Sequence, residues 1–230
     1  MAKRLNIQHL LQGWDMATRI VRKRIAAPVE DGLELATEIG SKMCKNFRID
    51  RENRFVYENL VRWVFADPAA MAHDAAGRTV PADLTKGLYI AGPTGTGKTL
   101  CMRVFSALAR CMAVSYSAGG KDRYLTFDFY RADLICDEYA REGDLQKFKQ
   151  LAVLNIEDLG SESRETLYMG NRRNVLQSIL EARGDRPLLI TSATSNIPID
   201  GLAAYYGDRV QSRAAEMFNY YVLAGRDRRG

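Results

Sequence analysis

The sequence holds no apolar run near the roughly 18 residues that a membrane span requires, which argues against any membrane partner. It has only four cysteines and two histidines in 230 residues. Cys44, Cys101, Cys111 and Cys136 stand at irregular spacings with no Cys-x-x-Cys pair, so neither a zinc site nor a disulfide framework fits them. His9 and His73 offer no metal-ligand spacing either and read as surface or helix residues. The chain opens Met-Ala-Lys-Arg with no apolar segment behind it, which speaks against secretion and for a cytoplasmic protein with reduced thiols. No internal repeat and no low-complexity segment is present.

What is there is ordinary in amount and uneven in placement. Apolar residues make up 47%, enough for one substantial core and a small appendage. The net charge is +5. Within the first 24 residues, Lys3, Arg4, Arg19, Arg22, Lys23 and Arg24 face only Asp15, a local surplus equal to that of the whole chain. Such an arm suits nucleic acid or an acidic partner; a solvated helix face is the alternative. An apolar stripe from Leu5 to Val21 predicts one helix over residues 5–25, closed by Pro28. Further helices are expected over 30–45 and 51–66, and a loop over 67–86.

Beyond residue 86 short apolar runs alternate with helical stretches. Strands are expected at 87–92, 123–129, 151–157, 188–193 and 220–224. Helices are expected at 98–114, 131–141, 171–183, 199–206 and 208–217. Ser117-Ala118-Gly119-Gly120 reads as a flexible turn. This alternation predicts an α/β fold, a parallel five-stranded sheet with helices on both faces.

The chemistry centres on Gly92-Pro93-Thr94-Gly95-Thr96-Gly97-Lys98-Thr99, which matches the P-loop pattern in full. Its glycines let backbone N–H groups wrap a polyphosphate without Cβ clashes. The helix that begins near Lys98 and Leu100 adds its positive end. Lys98 is expected on the β- and γ-phosphates of ATP and the Thr99 hydroxyl on Mg2+. The run Leu151-Ala-Val-Leu-Asn-Ile-Glu157-Asp158 then supplies two carboxylates after an apolar strand and resembles a Walker B strand. Two acids in a surface turn are the alternative. By position Glu157 serves the metal and Asp158 orients the attacking water. Aspartate is one methylene shorter than glutamate, and a base misplaced by about 1 Å can cost around 10²-fold in rate. Slow turnover is therefore expected.

Thr194-Ser195-Asn196, Gly207-Asp208-Arg209-Val210-Gln211-Ser212-Arg213, Glu216-Met217 and Gly225-x-Asp227-x-Arg229 follow in order. With the phosphate loop and the Glu157-Asp158-Leu159-Gly160 turn, this closely resembles the DnaC/IstB branch of AAA+ ATPases, the helicase loaders and transposition helper ATPases. The resemblance spans residues 46–230 and implies an AAA+ core. It implies a polar sensor at Asn196 and an arginine finger at Arg213, with Arg209 beside it, acting on a neighbouring subunit's nucleotide. Arg229 takes a second sensor position, and Phe47 and Arg48 the adenine side. It implies that residues 1–45 form a helical segment that docks on a replicative helicase or transposase. Many AAA+ proteins carry a helical lid; too few residues follow Ala224 for one, which implies an ATP site completed by self-association on ATP.

Between Gly160 and Val175, Arg164, Tyr168, Arg172 and Arg173 mix cations with an aromatic. That mixture suits single-stranded DNA, which helicase loaders touch near this place; a solvated loop is the alternative. Two other readings of the whole chain stay open. One is a nucleotide-gated assembly module with little hydrolysis. The other is a P-loop kinase, which would need an acceptor domain and lid arginines in cis.

Overall fold

The computed structural model describes residues 6–228; Lys3, Arg4, Leu5 and Arg229 lie outside that range. In chain order the first elements are α1 (Ile7–Thr18), β1 (Ile20–Arg22), α2 (Val29–Met43), α3 (Arg54–Val64), β2 (Met71–His73) and β3 (Thr79–Pro81). The glycine-rich loop region follows with β4 (Gly87–Ala91), α4 (Lys98–Cys111), β5 (Ser115–Ala118), β6 (Lys121–Tyr124) and β7 (Asp128–Arg131). Then come α5 (Ala132–Glu142), α6 (Gln146–Gln150), β8 (Val153–Leu159), β9 (Thr166–Tyr168), β10 (Asn171–Arg173) and α7 (Val175–Gly184). The chain closes with β11 (Ile190–Ser195), a 3-10 turn (Ile199–Gly201), α8 (Ala203–Met217) and β12 (Phe218–Val222).

The expected five parallel strands are present, in the order β12-β4-β11-β8-β7. Antiparallel β2 and β3 extend them to a seven-stranded sheet. β4 is buried along its whole length, and its side chains alternate between two cores as a strand requires. Leu88 and Ile90 join α2, α3 and α4 through Leu33, Leu60, Phe105 and Leu108. Tyr89 and Ala91 join α5, α7 and α8 through Ile135, Leu176, Ile179 and Val210. Strand order reverses beside β4, where ligand crevices of open α/β sheets form.

Several sequence expectations are corrected. Residues 5–25 are not one helix. The chain leaves α1 after Thr18, and the β-branched pair Ile20-Val21 pairs as β1 with β5. This buries Ile20 and sets the Arg22 guanidinium over the Trp63 ring at 4.5 Å. The 67–86 loop contains the β2–β3 hairpin. The strand expected at 123–129 is two strands, β6 pairing back on β5 and β7 entering the main sheet. The helix expected from 171 starts only at Val175, where the Asn174 side chain accepts from the Gln177 N–H. Residues 166–173 before it are a hairpin. Gly207 (φ 81°, ψ 166°) breaks α8, close to where two helices were expected.

α2 lies against α3 and α4, with Leu33 and Ala36 in the core. A Cβ on Gly32 would meet Val61 at 2.4 Å, and one on Gly40 would meet Phe47 at 2.3 Å. Within residues 1–45 the exposed large apolar residues are Ile7, Leu11 and Trp14 of α1, Val21 of β1 and Met43 of α2, so α1 carries three of the five among the described residues.

Arg183 holds the far end of the sheet together. It is 1% exposed, and its guanidinium donates to Thr191 Oγ1 (2.8 Å) and to the carbonyls of Phe148 (2.9 Å), Leu151 (2.8 Å) and Ile190 (2.8 Å). Burial lowers its pKa to about 10, so it is charged at neutral pH. Arg183→Met strands several of these acceptors. A loss of about 3 kcal/mol is expected in urea unfolding, and a loss under about 1 kcal/mol would contradict this account.

Candidate functional site

The phosphate loop springs from the carboxyl end of β4, at the strand-order reversal. Two glycines carry the geometry. A Cβ on Gly92 would lie 2.2 Å from the Leu223 carbonyl oxygen, so only glycine lets the chain beyond β12 pass this close. Gly97 (φ 91°) is the left-handed N-cap of α4 and makes no side-chain cap. No acid occupies the first turn of α4. Its leading N–H groups and positive end are therefore aimed at the loop.

A cavity of about 530 Å³ opens here. Thr94, Gly95, Thr96, Gly97, Lys98, Thr99 and Leu100 form one wall, and Asp158 and Asn196 face it from the neighbouring strand ends. Gly92 and Pro93 are not among the residues that line the cavity. Lys98 is 5% exposed, and its Nζ donates to Asn196 Oδ1 at 2.7 Å and to the Pro93 carbonyl at 2.9 Å. Asn196 Nδ2 reaches Thr94 Oγ1 at 3.4 Å. The expected sensor and the loop lysine are thus in direct contact.

The two carboxylates part company. β8 carries Glu157 toward α4, where it is 4% exposed and Arg103 grips it. Arg103 Nε and Nη2 donate to Oε1 and Oε2 at 3.0 and 3.1 Å, and this pairing raises the Arg103 pKa. Asp158 takes a left-handed conformation, φ 56°. Its N–H donates to Thr194 Oγ1 at 3.1 Å, and the β8–β11 pairing shifts register beside it. The kink turns Asp158 to the cavity, a strained position of the kind that clusters at functional sites.

The opposite wall is the segment before α3. Cys44, Asn46, Phe47, Arg48, Asn53 and Tyr57 line the cavity, so the residues expected on the adenine side do border it. Two participants escaped the sequence reading, Arg103 and Arg228. Arg228 donates to Asp50 Oδ1 and Oδ2, both at 2.9 Å, and to Glu52 at 3.1 Å. Its N–H binds the Gly95 carbonyl at 2.9 Å, next to Asp227, whose carboxyl fills the space a Cβ on Gly95 would need. The hydrogen bond from Arg228 holds the Asp50 carboxyl down at about 2. A depressed pKa favours the folded state above the unfolded value near 4 and loses that contribution as pH falls toward 2. The clamp is therefore ionised across the neutral range. Its signal was present one residue away, in the pattern that pointed to Arg229.

The remaining expected residues lie outside the cavity. Arg209 and Arg213 project from one face of α8 and share Asp185, at 3.0 and 2.7 Å, and Arg213 also holds Glu216 at 2.8 Å. The region of residues 160–174 carries the arginines expected on DNA. Arg164 lies 5.0 Å over the Tyr205 ring, Arg173 lies 6.0 Å over Tyr139, and Arg172 is 3.7 Å from Glu165. Tyr168 differs from expectation. Its ring packs 5.8 Å from Tyr139 and covers Gly143, because β9 turns it onto α5. Leu167 and Met169 are the exposed apolar residues of the hairpin instead.

Among the described residues no group of three or more His, Cys, Asp or Glu is placed to hold a metal ion. A hydroxyl with one or two carboxylates fits Mg2+, which binds through few protein oxygens together with phosphates. Thr99, Asp158 and Glu157, the residues expected on the metal, have that chemistry, and Arg103 engages Glu157. Among the described residues no helix is long and apolar enough to cross a membrane.

No protein-family model matches the chain, and no curated protein matches it. Solved structures do. The DnaC helicase loader gives a TM-score of 0.51 at 20% identity, covering 78% of this chain and 94% of that one. DnaI gives 0.50 at 18% identity, covering 86% and 95%. The chain has a DnaC-like α/β fold built on a parallel-stranded sheet.

Proposed function

We propose that the chain binds ATP with Mg2+ in this cavity, self-associates on ATP, and loads or remodels a replicative helicase or a transposase at single-stranded DNA. The observation that carries this reading is the split between two sets of residues. Lys98, Asp158 and Asn196 converge on one cavity, whereas Arg209 and Arg213 lie on an outer helix face away from it. An arginine pair so placed serves a neighbour's phosphates and not its own.

In this reading Thr94–Leu100 cradle the triphosphate and Lys98 neutralises its far end. Thr99 and Glu157 hold the metal, which supplies charge neutralisation between phosphates when bound. Asp158 orients water and Asn196 fixes the γ-phosphate. Arg228, clamped to Asp50 and Glu52, braces the base side. Arg164, Arg172 and Arg173 pair with DNA phosphates, and Tyr168 braces their hairpin. Residues 1–45 dock the partner, with the open apolar face of α1 as the contact.

Light scattering tests this reading. ATP with Mg2+ should raise the scattered intensity and single-stranded DNA should raise it further, whereas a kinase would show neither response. A flat trace with saturating nucleotide would sink the proposal. A second reading, an assembly module with little hydrolysis, is favoured by the Arg103 grip on Glu157; assembly without measurable phosphate release would select it.

A further inference from the structure

Glu157 is nearly sealed, and both its oxygens are taken by one guanidinium. Arg103 comes from α4, 54 residues away in sequence, and meets the carboxylate side-on through Nε and Nη2. This forked geometry is the strong form of an arginine–carboxylate pair. Arg103 also follows Thr99 by four residues on the same helix, so the two share a face. It lines the nucleotide cavity together with Thr99, Lys98 and Asp158. Arg103 thus joins the cavity wall that carries Thr99 to the buried Glu157 carboxylate.

We infer that Arg103 competes with Mg2+ for Glu157, so that the empty site carries its own cation and the metal enters only by displacing it. Without metal, Arg103 neutralises Glu157 and keeps a buried anion from repelling phosphates. With metal, the freed guanidinium stays on the cavity wall, within the class of groups that pair with a nucleotide phosphate. Two consequences follow for a nucleoside di- or triphosphate. It binds appreciably without metal, and magnesium adds little affinity. The inference rests on the nucleotide reading of this cavity.

The test uses the full chain and a fluorescent ATP analogue, titrated in EDTA and in Mg2+. For the unaltered protein, Mg2+ should tighten binding by about threefold or less, the mark of one charge replacing another. In Arg103→Gln the EDTA affinity should fall about tenfold, the worth of one charge-assisted hydrogen bond. The gain from Mg2+ should rise correspondingly. Arg103→Lys keeps the charge and loses the fork, and should fall between. Mn2+ alone, followed by its paramagnetic resonance signal, should bind Arg103→Gln more tightly than the unaltered chain and should not bind Glu157→Gln. A purely structural pair would lower the melting temperature and leave these metal responses unmoved. Equal Mg2+ gain in all three proteins overturns the inference and leaves the nucleotide reading intact. Absence of nucleotide binding in the unaltered chain overturns both.

Discussion

Lys98→Ala should weaken ATP binding by about 10² or more, the effect of losing close to 3 kcal/mol of charge-assisted contact. Lys98 is buried against the loop it serves, and its Nζ already faces Asn196 Oδ1 and the Pro93 carbonyl. Ordering cost is therefore largely met before nucleotide arrives. Removing the ammonium deletes the phosphate contact and also leaves Asn196 and the Pro93 carbonyl short of a donor. Calorimetric titration gives the affinity, and a melting curve checks that the loop still folds. Lys98→Met, of similar length and no charge, separates charge from packing. An affinity within about threefold of the original would mean that the cavity is not a phosphate site.

Arg213→Ala should cut steady-state ATP hydrolysis by about 10³-fold, at the lower end of what an arginine supplied in trans contributes. Its nucleotide affinity should be unchanged, because Arg213 is outside the cavity and spends its charge on Asp185 and Glu216. Those partners matter for the size of the effect. If Arg213 is the finger, a neighbour's triphosphate must draw it off two exposed carboxylates, which lowers the gain it can give. Mixing Arg213→Ala with Lys98→Ala offers a sharper readout. The first keeps a nucleotide site and lacks the arginine; the second lacks the site and keeps the arginine. Activity above the sum of the two shows a shared site. Full activity in Arg213→Ala, or a loss of affinity parallel to the loss of rate, would sink the assignment.

How much of this was legible depended on range. The phosphate loop was legible because its glycines, lysine and threonine form one local pattern between an apolar strand and helix. Four of the five parallel strands were legible as short apolar runs separated by helical periods; β7, flanked by Asp128 and Arg131, was displaced from the strand expected at 123–129. The hairpins β2–β3, β5–β6 and β9–β10 were not, because strands of three or four residues hold barely one cycle of alternation. β1 was hidden inside an apolar stripe that also satisfies a helix, and only its pairing with Ala118, Ser117 and Tyr116 decides otherwise. The pairs Arg103–Glu157 and Arg228–Asp50 join residues 54 and 178 positions apart, and no local pattern announces such partners. The inward turn of Tyr168 depends on α5 lying beneath it, which is again a tertiary fact. Asp158 shows the opposite limit. Its type and place were clear from sequence, but the left-handed kink that separates it from Glu157 was not.

The position of β12 has a consequence for synthesis. This strand is translated after every other element of the sheet, yet it lies between β2 and β4. Until it emerges from the ribosome, the β2–β3 hairpin has no sheet to join and one side of β4 presents bare N–H and C=O groups. Such an edge invites pairing with another nascent chain. The same late strand carries Leu223 to Gly92 and Arg228 to Asp50, so the cavity is assembled last. A fragment that stops before β12 would keep the entire phosphate loop and lack both the Leu223 approach to Gly92 and the Arg228 clamp on Asp50.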